Sequence, residues 1–193
     1  MVLDIKQYKQ ATGMRINRIK VVGGEPLLHP EWDWVIEKLS ELVPDHCNKV
    51  KVDSNGTIKH EPVKNVVFAG RGIVRKEHLP YLWSPTDLGL PITPCSQPRI
   101  CGFSLDSIGW LPCSPAIMIA RSFGLEHLYR NKMPTQPWGL DELCKHCIHA
   151  APEEFRQAHC KSLGSILESD QRPTESWVRA LERYRQVWLS PKR

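Results

Sequence analysis

The apolar positions of this chain change period several times, and each change marks an element. Leu3, Ile5, Tyr8, Ala11 and Thr12 share one face at helical spacing over residues 3 to 14, and Gly13 offers that helix an end. Ile19, Val21 and Val22 form a β-branched run that stops at Gly23-Gly24, which predicts a buried strand ending in a loop of unusual backbone freedom. Pro26 cannot extend the strand, and Pro30 stands where a helix can start. Trp34, Val35, Leu39, Leu42 and Val43 then recur at roughly helical spacing. Val50 and Val52 predict a second strand closing on Ser54-Asn55-Gly56-Thr57, and Asn65 to Ala69 a third. Strand, glycine loop, helix, strand is one βαβ unit of an α/β fold. Ligands of parallel α/β sheets bind at the carboxyl ends of the strands, so the two loops predict a small polar ligand between them. Glu25 would suit an ammonium; the plain alternative is a pair of ordinary turns.

Past residue 70 the pattern loosens. Residues 71 to 94 are rich in proline, which suits a connector and puts a domain boundary near residues 85 to 94. Phe103, Leu105 and Ile108 with Gly109 predict a small hairpin. Ser114-Pro115 opens a helix through Ile117, Ile119, Ala120 and Phe123 that Gly124 ends. Pro173 to Leu189 predicts a last helix, with Thr174 as cap, Glu175 in the first turn, and Trp177, Val178, Leu181, Tyr184 and Trp188 as its apolar stripe.

Composition adds little to this and removes several classes. An apolar fraction of 41% with 24% charged residues over 193 positions is that of a globular protein. The net charge of +5 is modest and its Lys and Arg are scattered, which argues against a nucleic-acid groove. Neither a signal core nor a membrane-length apolar run is present, and the expectation is a cytoplasmic protein.

The seven cysteines change the picture most, because six of them fall between Cys95 and Cys160. An odd number of thiols without a signal peptide points to metal rather than disulfides. The hairpin brings Cys101 and Cys113 towards each other, and Cys144-Lys-His-Cys147 has the spacing that turns two sulfurs into one site. Cys101, Cys113, Cys144 and Cys147 therefore make one complete four-thiolate set, for a [4Fe-4S] cluster or a structural zinc. Cys95 and Cys160 either substitute in it or stay outside it. His146, His149 and His159 crowd the same region and, as ligands, would favour zinc. Cys47 reads as structural.

Gly23-Gly24-Glu25-Pro26, followed after a helix and a strand by Ser54-Asn55-Gly56-Thr57, resembles the second and third strand ends of the radical S-adenosylmethionine (SAM) enzymes. The resemblance covers residues 15 to about 60 and implies a partial (β/α) barrel. It implies that Gly23, Gly24, Glu25 and Pro26 hold the amino group of SAM, with Ser54 and Asn55 beside its carboxylate and ribose. The Cys-x3-Cys-x2-Cys loop of that family, which carries the SAM-cleaving cluster, is not matched, since no cysteine precedes Cys47. The cysteine-rich part is similar to the SPASM and twitch extensions of the same family, although three residues rather than four separate Gly109 from Cys113. The organisation expected is a partial radical SAM core at 1–88, a SPASM/twitch-like α+β metal-binding module at 89–168 and a C-terminal amphipathic helix at 169–193.

The function these readings imply is that of a truncated or divergent radical SAM protein with one auxiliary [4Fe-4S] cluster and a SAM-facing surface, unable alone to cleave SAM. The alternatives are half of a split enzyme, completed by upstream sequence or a second polypeptide and acting on a peptide or small molecule, and a zinc-binding assembly module. The open edge of the Ile19 strand is expected to be covered by an N-terminal element, another subunit or the cysteine-rich module.

Overall fold

Alternating β-branched residues assemble the first part of the chain around a three-stranded parallel sheet. In the computed structural model, which describes residues 1–22, 25–54, 56, 58–70, 82–100, 102–159 and 172–189, strands β1 (Ile19–Val21), β2 (Val50–Ser54) and β3 (Val66–Gly70) lie in the order β1-β2-β3. Ile19 is level with Val50, and Val50 with Val66. Helix α1 (Val2–Thr12) precedes the sheet and ends at Gly13, whose φ of 69° is the left-handed conformation that glycine adopts without strain. Helix α2 (Trp32–Ser40) makes the crossover from β1 to β2. No helix separates β2 from β3 among the described residues, so the βαβ unit is not repeated.

The buried face of α2 differs from the one the apolar spacing predicts. Ile36, Leu39 and the following Leu42 are buried, whereas Trp34 is 59% exposed. Trp32 meets Phe68 of β3 edge to face, at 6.2 Å between ring centres. Trp32, Ile36 and Leu39 are spaced i, i+4, i+7, which sets Trp34 on the opposite side of the cylinder. Pro30 does not open α2; Pro26 instead opens a short 3-10 turn, Pro26–Leu28. Cys47 is fully buried, and burial pushes its thiol pKa up, as expected of a structural cysteine. The outer side of β1 pairs with no other strand among the described residues.

The chain divides into two compact units, Met1–Arg75 and Lys76–Arg193. The division falls inside the proline-rich stretch of residues 71 to 94, ahead of the boundary expected at 85 to 94. The reason is Trp83, which is buried with Ile148 and Ala151 in a small cluster of the second unit and meets Phe155 edge to face. Ser84 donates from its hydroxyl to the Lys145 carbonyl at 2.6 Å.

In the second unit, a short helix α3 (Gln97–Ile100) precedes the hairpin β4 (Ser104–Leu105) and β5 (Trp110–Leu111), which pair antiparallel. Asp106 shapes the turn by accepting from the amides of Ile108 and Gly109. Its other oxygen takes Arg121 at 2.6 Å and the Tyr129 hydroxyl at 2.9 Å. Gly109 is required here by close approach, because a Cβ on it would stand 2.7 Å from the Arg130 carbonyl oxygen, which accepts from the Trp110 amide. Gly109→Ala is expected to cost about 1–3 kcal/mol of the second unit's stability, read from denaturant midpoints; an unchanged midpoint would contradict that packing.

Helix α4 (Ala116–Phe123) follows the hairpin and ends at Gly124, φ 75°. Helices α5 (Leu140–Leu143) and α6 (Glu153–His159) flank the last cysteine turn, and α7 (Glu175–Tyr184) runs on into a π-helical turn, Arg185–Leu189. The core gathers Leu111, Ile119, Leu128, Leu143, Trp177 and Ala180 around the side chains of Cys113 and Cys147. Of the expected stripe on α7, Trp177 is buried but Val178 is 43% exposed, and Ala180 takes its place inside. Thr174 does not cap α7 with its side chain; its Oγ1 accepts from the Ser84 amide, and Asp87 Oδ2 instead accepts from the Ser176 amide at 2.8 Å. Burial works against the Asp87 carboxylate, but hydrogen bonds from Ser176 and Thr174 outweigh it and hold its pKa below the ordinary value. Asp87→Ala is therefore expected to cost about 1 kcal/mol at neutral pH. Because the folded pKa is the lower one, that contribution is lost as pH falls through it, and the two proteins should converge in stability in acid.

Candidate metal centre

Four thiols of the second unit surround one space. Cys95, Cys113, Cys144 and Cys147 all line a cavity of about 260 Å³. They reach it from three pieces of local structure. Thr93, two residues before Cys95, is held by its amide on the Ala150 carbonyl at 2.8 Å and by its hydroxyl on the carbonyls of Ala150 and Ala151. Cys113 follows β5 and is fixed through its backbone carbonyl, which accepts from Ser104 Oγ at 2.8 Å and from the Ala116 amide at 3.1 Å. Cys144 and Cys147 bracket a single 3-10 turn closed by the Cys147 amide on the Cys144 carbonyl at 3.2 Å. The x2 spacing thus puts two sulfurs on the same wall without a longer loop.

The remaining walls are mainly apolar, with Pro94, Pro98, Pro115, Ile119 and Leu143 among them; Asp141 supplies the acidic group. Cys113 and Cys147 are buried, while Cys95 and Cys144 are half-buried. Burial, followed by the negative charge that Cys95 and Asp141 would bring, pushes Cys144 up to about 11. Burial also pushes Cys147 far up, reinforced by Cys113, Cys144 and Cys95. The four groups therefore feel one another. Ionising all four in an apolar cavity is strongly disfavoured unless a cationic centre takes the charge. A coordinating thiol loses its proton outright, so such a centre reverses the balance.

Among the described residues no three His, Cys, Asp or Glu side chains converge closely enough to hold a single metal ion. Tetrahedral zinc, with Zn–S near about 2.3 Å, requires sulfurs about 3.8 Å apart. A [4Fe-4S] cubane takes its four thiolates at the corners of a larger body.

Of the expected ligands, Cys113, Cys144 and Cys147 are brought together, and Cys101 and Cys160 lie outside the described residues. Cys95, expected either to substitute in the set or to stay outside it, lines the cavity with them. Among the described residues no histidine lines this cavity. His146 turns instead onto Phe123, ring on ring at 3.8 Å, and burial lowers its pKa; burial does the same for His149. The side chain of His159 is outside the described residues. The mixed Cys/His site that would favour zinc thus finds no support from His146 or His149.

The first unit carries the other candidate site. Gly23, Gly24 and Asn55 lie outside the described residues, but the residues next to them fix the geometry. Glu25 Oε2 accepts from Ser54 Oγ at 3.1 Å, so the ends of β1 and β2 meet at one rim of the sheet. Glu25 Oε1 accepts from the Leu27 amide at 3.1 Å and caps the turn that Pro26 opens. Ser54 Oγ also accepts from the Gly56 amide at 3.0 Å. Glu25 therefore has a structural task whatever else it binds. Spacing gave no signal for Asp53, one residue before Ser54: it is 7% exposed and pairs with Lys20 at 2.8 Å and Lys51 at 3.4 Å. A buried carboxylate between two lysines from adjacent strands becomes visible only once the register is known.

No helix among the described residues is long and apolar enough to cross a membrane. No family model, curated protein or solved structure matches the chain.

Proposed function

We propose that this chain is an iron-sulfur protein whose second unit holds one [4Fe-4S] cluster on Cys95, Cys113, Cys144 and Cys147. The observation that carries the reading is the cavity lined by all four thiols, close enough for Cys113, Cys144 and Cys95 to raise the pKa of Cys147. These residues fit the group in number, in donor chemistry and in room. When bound, such a cluster supplies one-electron transfer at a potential set by burial and by hydrogen bonds to its sulfurs. The chain's own residues hold it on rigid elements, exclude water with proline and leucine side chains, and keep Asp141 beside Cys144. Anaerobic purification, or reconstitution with iron and sulfide, is expected to give a brown protein absorbing broadly near about 400 nm. A colourless protein with about one zinc per chain would replace this reading with that of a zinc-binding assembly module.

The first unit is proposed to be a radical SAM-like half-site, on the strength of Glu25 and Ser54 meeting at the carboxyl rim of β1 and β2. The Glu25 carboxylate at that rim would take an ammonium. None of residues 1–46 is a cysteine, so these residues do not supply the thiolates that cleave SAM in that family. A complete enzyme would draw them from upstream sequence or a second polypeptide, and an added strand on the outer side of β1 is where it would join. Glu25→Gln removes the charge and keeps one acceptor for the Leu27 amide, while its NH2 can donate to Ser54 Oγ in place of the second. Calorimetry is expected to show SAM binding by the wild type, weakened about tenfold to a hundredfold in Glu25→Gln. A wild type that does not bind SAM would remove the half-site and leave the cluster reading intact.

A further inference from the structure

Cys144 and Cys147 stand in a geometry that serves a second chemistry besides holding metal. The Cys147 amide donates to the Cys144 carbonyl at 3.2 Å and closes one 3-10 turn between them. A turn of this kind keeps its end Cα atoms within about 7 Å of each other. A disulfide needs them about 4.4–6.8 Å apart. Both side chains line the same cavity, so the sulfurs leave the turn on one side, and both are thiols in this structure. Their exposure is unequal: Cys144 is half-buried, whereas Cys147 is 6% exposed and packed into the core. Thiol-disulfide exchange uses such an asymmetry, with the reachable sulfur reacting first and the covered one resolving the mixed disulfide. Cys147 needs no access to solvent for that step, because the sulfur it attacks belongs to Cys144.

We propose that Cys144 and Cys147 form a redox switch: in the metal-free chain they close into a disulfide, and the site then holds no cluster. The inference rests on the four-thiol site proposed above and adds its regulation. The oxidant is a low-molecular-weight disulfide of the oxidised glutathione kind. The Cys144 thiolate attacks one of its sulfurs, breaks the S–S bond and releases one glutathione thiolate. The Cys147 thiolate then attacks Cys144 Sγ and displaces the second glutathione. In the balance one S–S bond forms and one breaks, two electrons pass from the cysteines to glutathione disulfide, and the two cysteine protons leave on the two glutathione thiols. Cys95 and Cys113 are then the thiols left at the cavity, too few for a [4Fe-4S] cluster. The same two sulfurs serve as ligands when a cluster is bound, so metal and oxidant compete for them. Burial raises the pKa of both thiols and slows the exchange, which suits a switch that follows sustained redox conditions rather than rapid turnover.

The test compares full chain loaded with iron and sulfide, its iron content measured, with full chain reduced and stripped of metal. Both are held with oxidised glutathione, blocked with an alkylating reagent and digested with trypsin. Trypsin cuts after Lys145, between the two cysteines, so the bond appears as residues 133–145 and 146–156 joined until a reductant parts them. The stripped wild type and stripped Cys95→Ser should both yield that pair, and the loaded wild type about tenfold less of it or below. No such pair in the stripped wild type, a bond from Cys144 or Cys147 to another cysteine in its place, or equal yields from loaded and stripped chain would overturn the inference and leave a measured iron content standing. A reduced chain that takes up no iron would remove the cluster reading itself, and this regulation with it.

Discussion

A Cys147→Ser chain, reconstituted with iron and sulfide beside the wild type, is expected to lose most of its bound iron and its visible absorption. Cys147 is 6% exposed and stands in the core beside Leu143 and Trp177. No solvent thiol or water reaches that corner easily, so a hydroxyl there leaves the cluster with three strong ligands. The companion pair is more informative. Cys95→Ser should behave like Cys147→Ser, because Cys95 lines the same cavity and shares charge with Cys144 and Cys147. Cys101→Ser should keep its iron. The opposite outcome for these two variants would move the fourth ligand to Cys101 and leave the other three in place. Since Cys113 and Cys147 belong to the apolar core, metal binding is also folding energy: the iron-loaded protein should melt above the metal-stripped one, by an amount that grows with ligand excess.

Trp177→Ala is expected to destabilise the second unit by about 3–5 kcal/mol, measured by chemical denaturation at 25 °C. Trp177 is fully buried, meets Phe123 edge to face at 4.9 Å, and is the residue by which α7 enters the core. Its indole N–H donates to the His146 carbonyl at 3.0 Å, inside the turn that carries Cys144 and Cys147. Truncation therefore leaves a cavity and an unpaired carbonyl next to two thiols. Faster loss of iron to a chelator should accompany the lower stability. A change below about 1 kcal/mol would mean that α7 is an appendage rather than part of the second unit's core.

What the sequence makes legible here is local, and what it hides is long-range. Val50 and Val52, the Gly13 and Gly124 helix ends, the hairpin at Gly109 and the Cys144-x2-Cys147 turn each follow from steric or periodic rules that act within a few residues. The place of Cys95 at the cavity does not. Cys95 is set against the cavity because Thr93 bonds to Ala150 and Ala151, more than fifty residues away. The same limit explains the cap of α7, where Thr174 turns to Ser84 and Asp87 crosses 89 positions to reach Ser176. It bears on α2 as well, since Trp32 and Trp34 are equally apolar and Trp32 is the one that meets Phe68 across to β3.

The most direct test of the central claim is X-ray absorption at the iron and zinc edges on anaerobically isolated full-length chain. The account predicts iron in an all-sulfur shell with an iron-iron scattering path, lost in Cys147→Ser; zinc in a four-sulfur shell with no metal-metal path would contradict it.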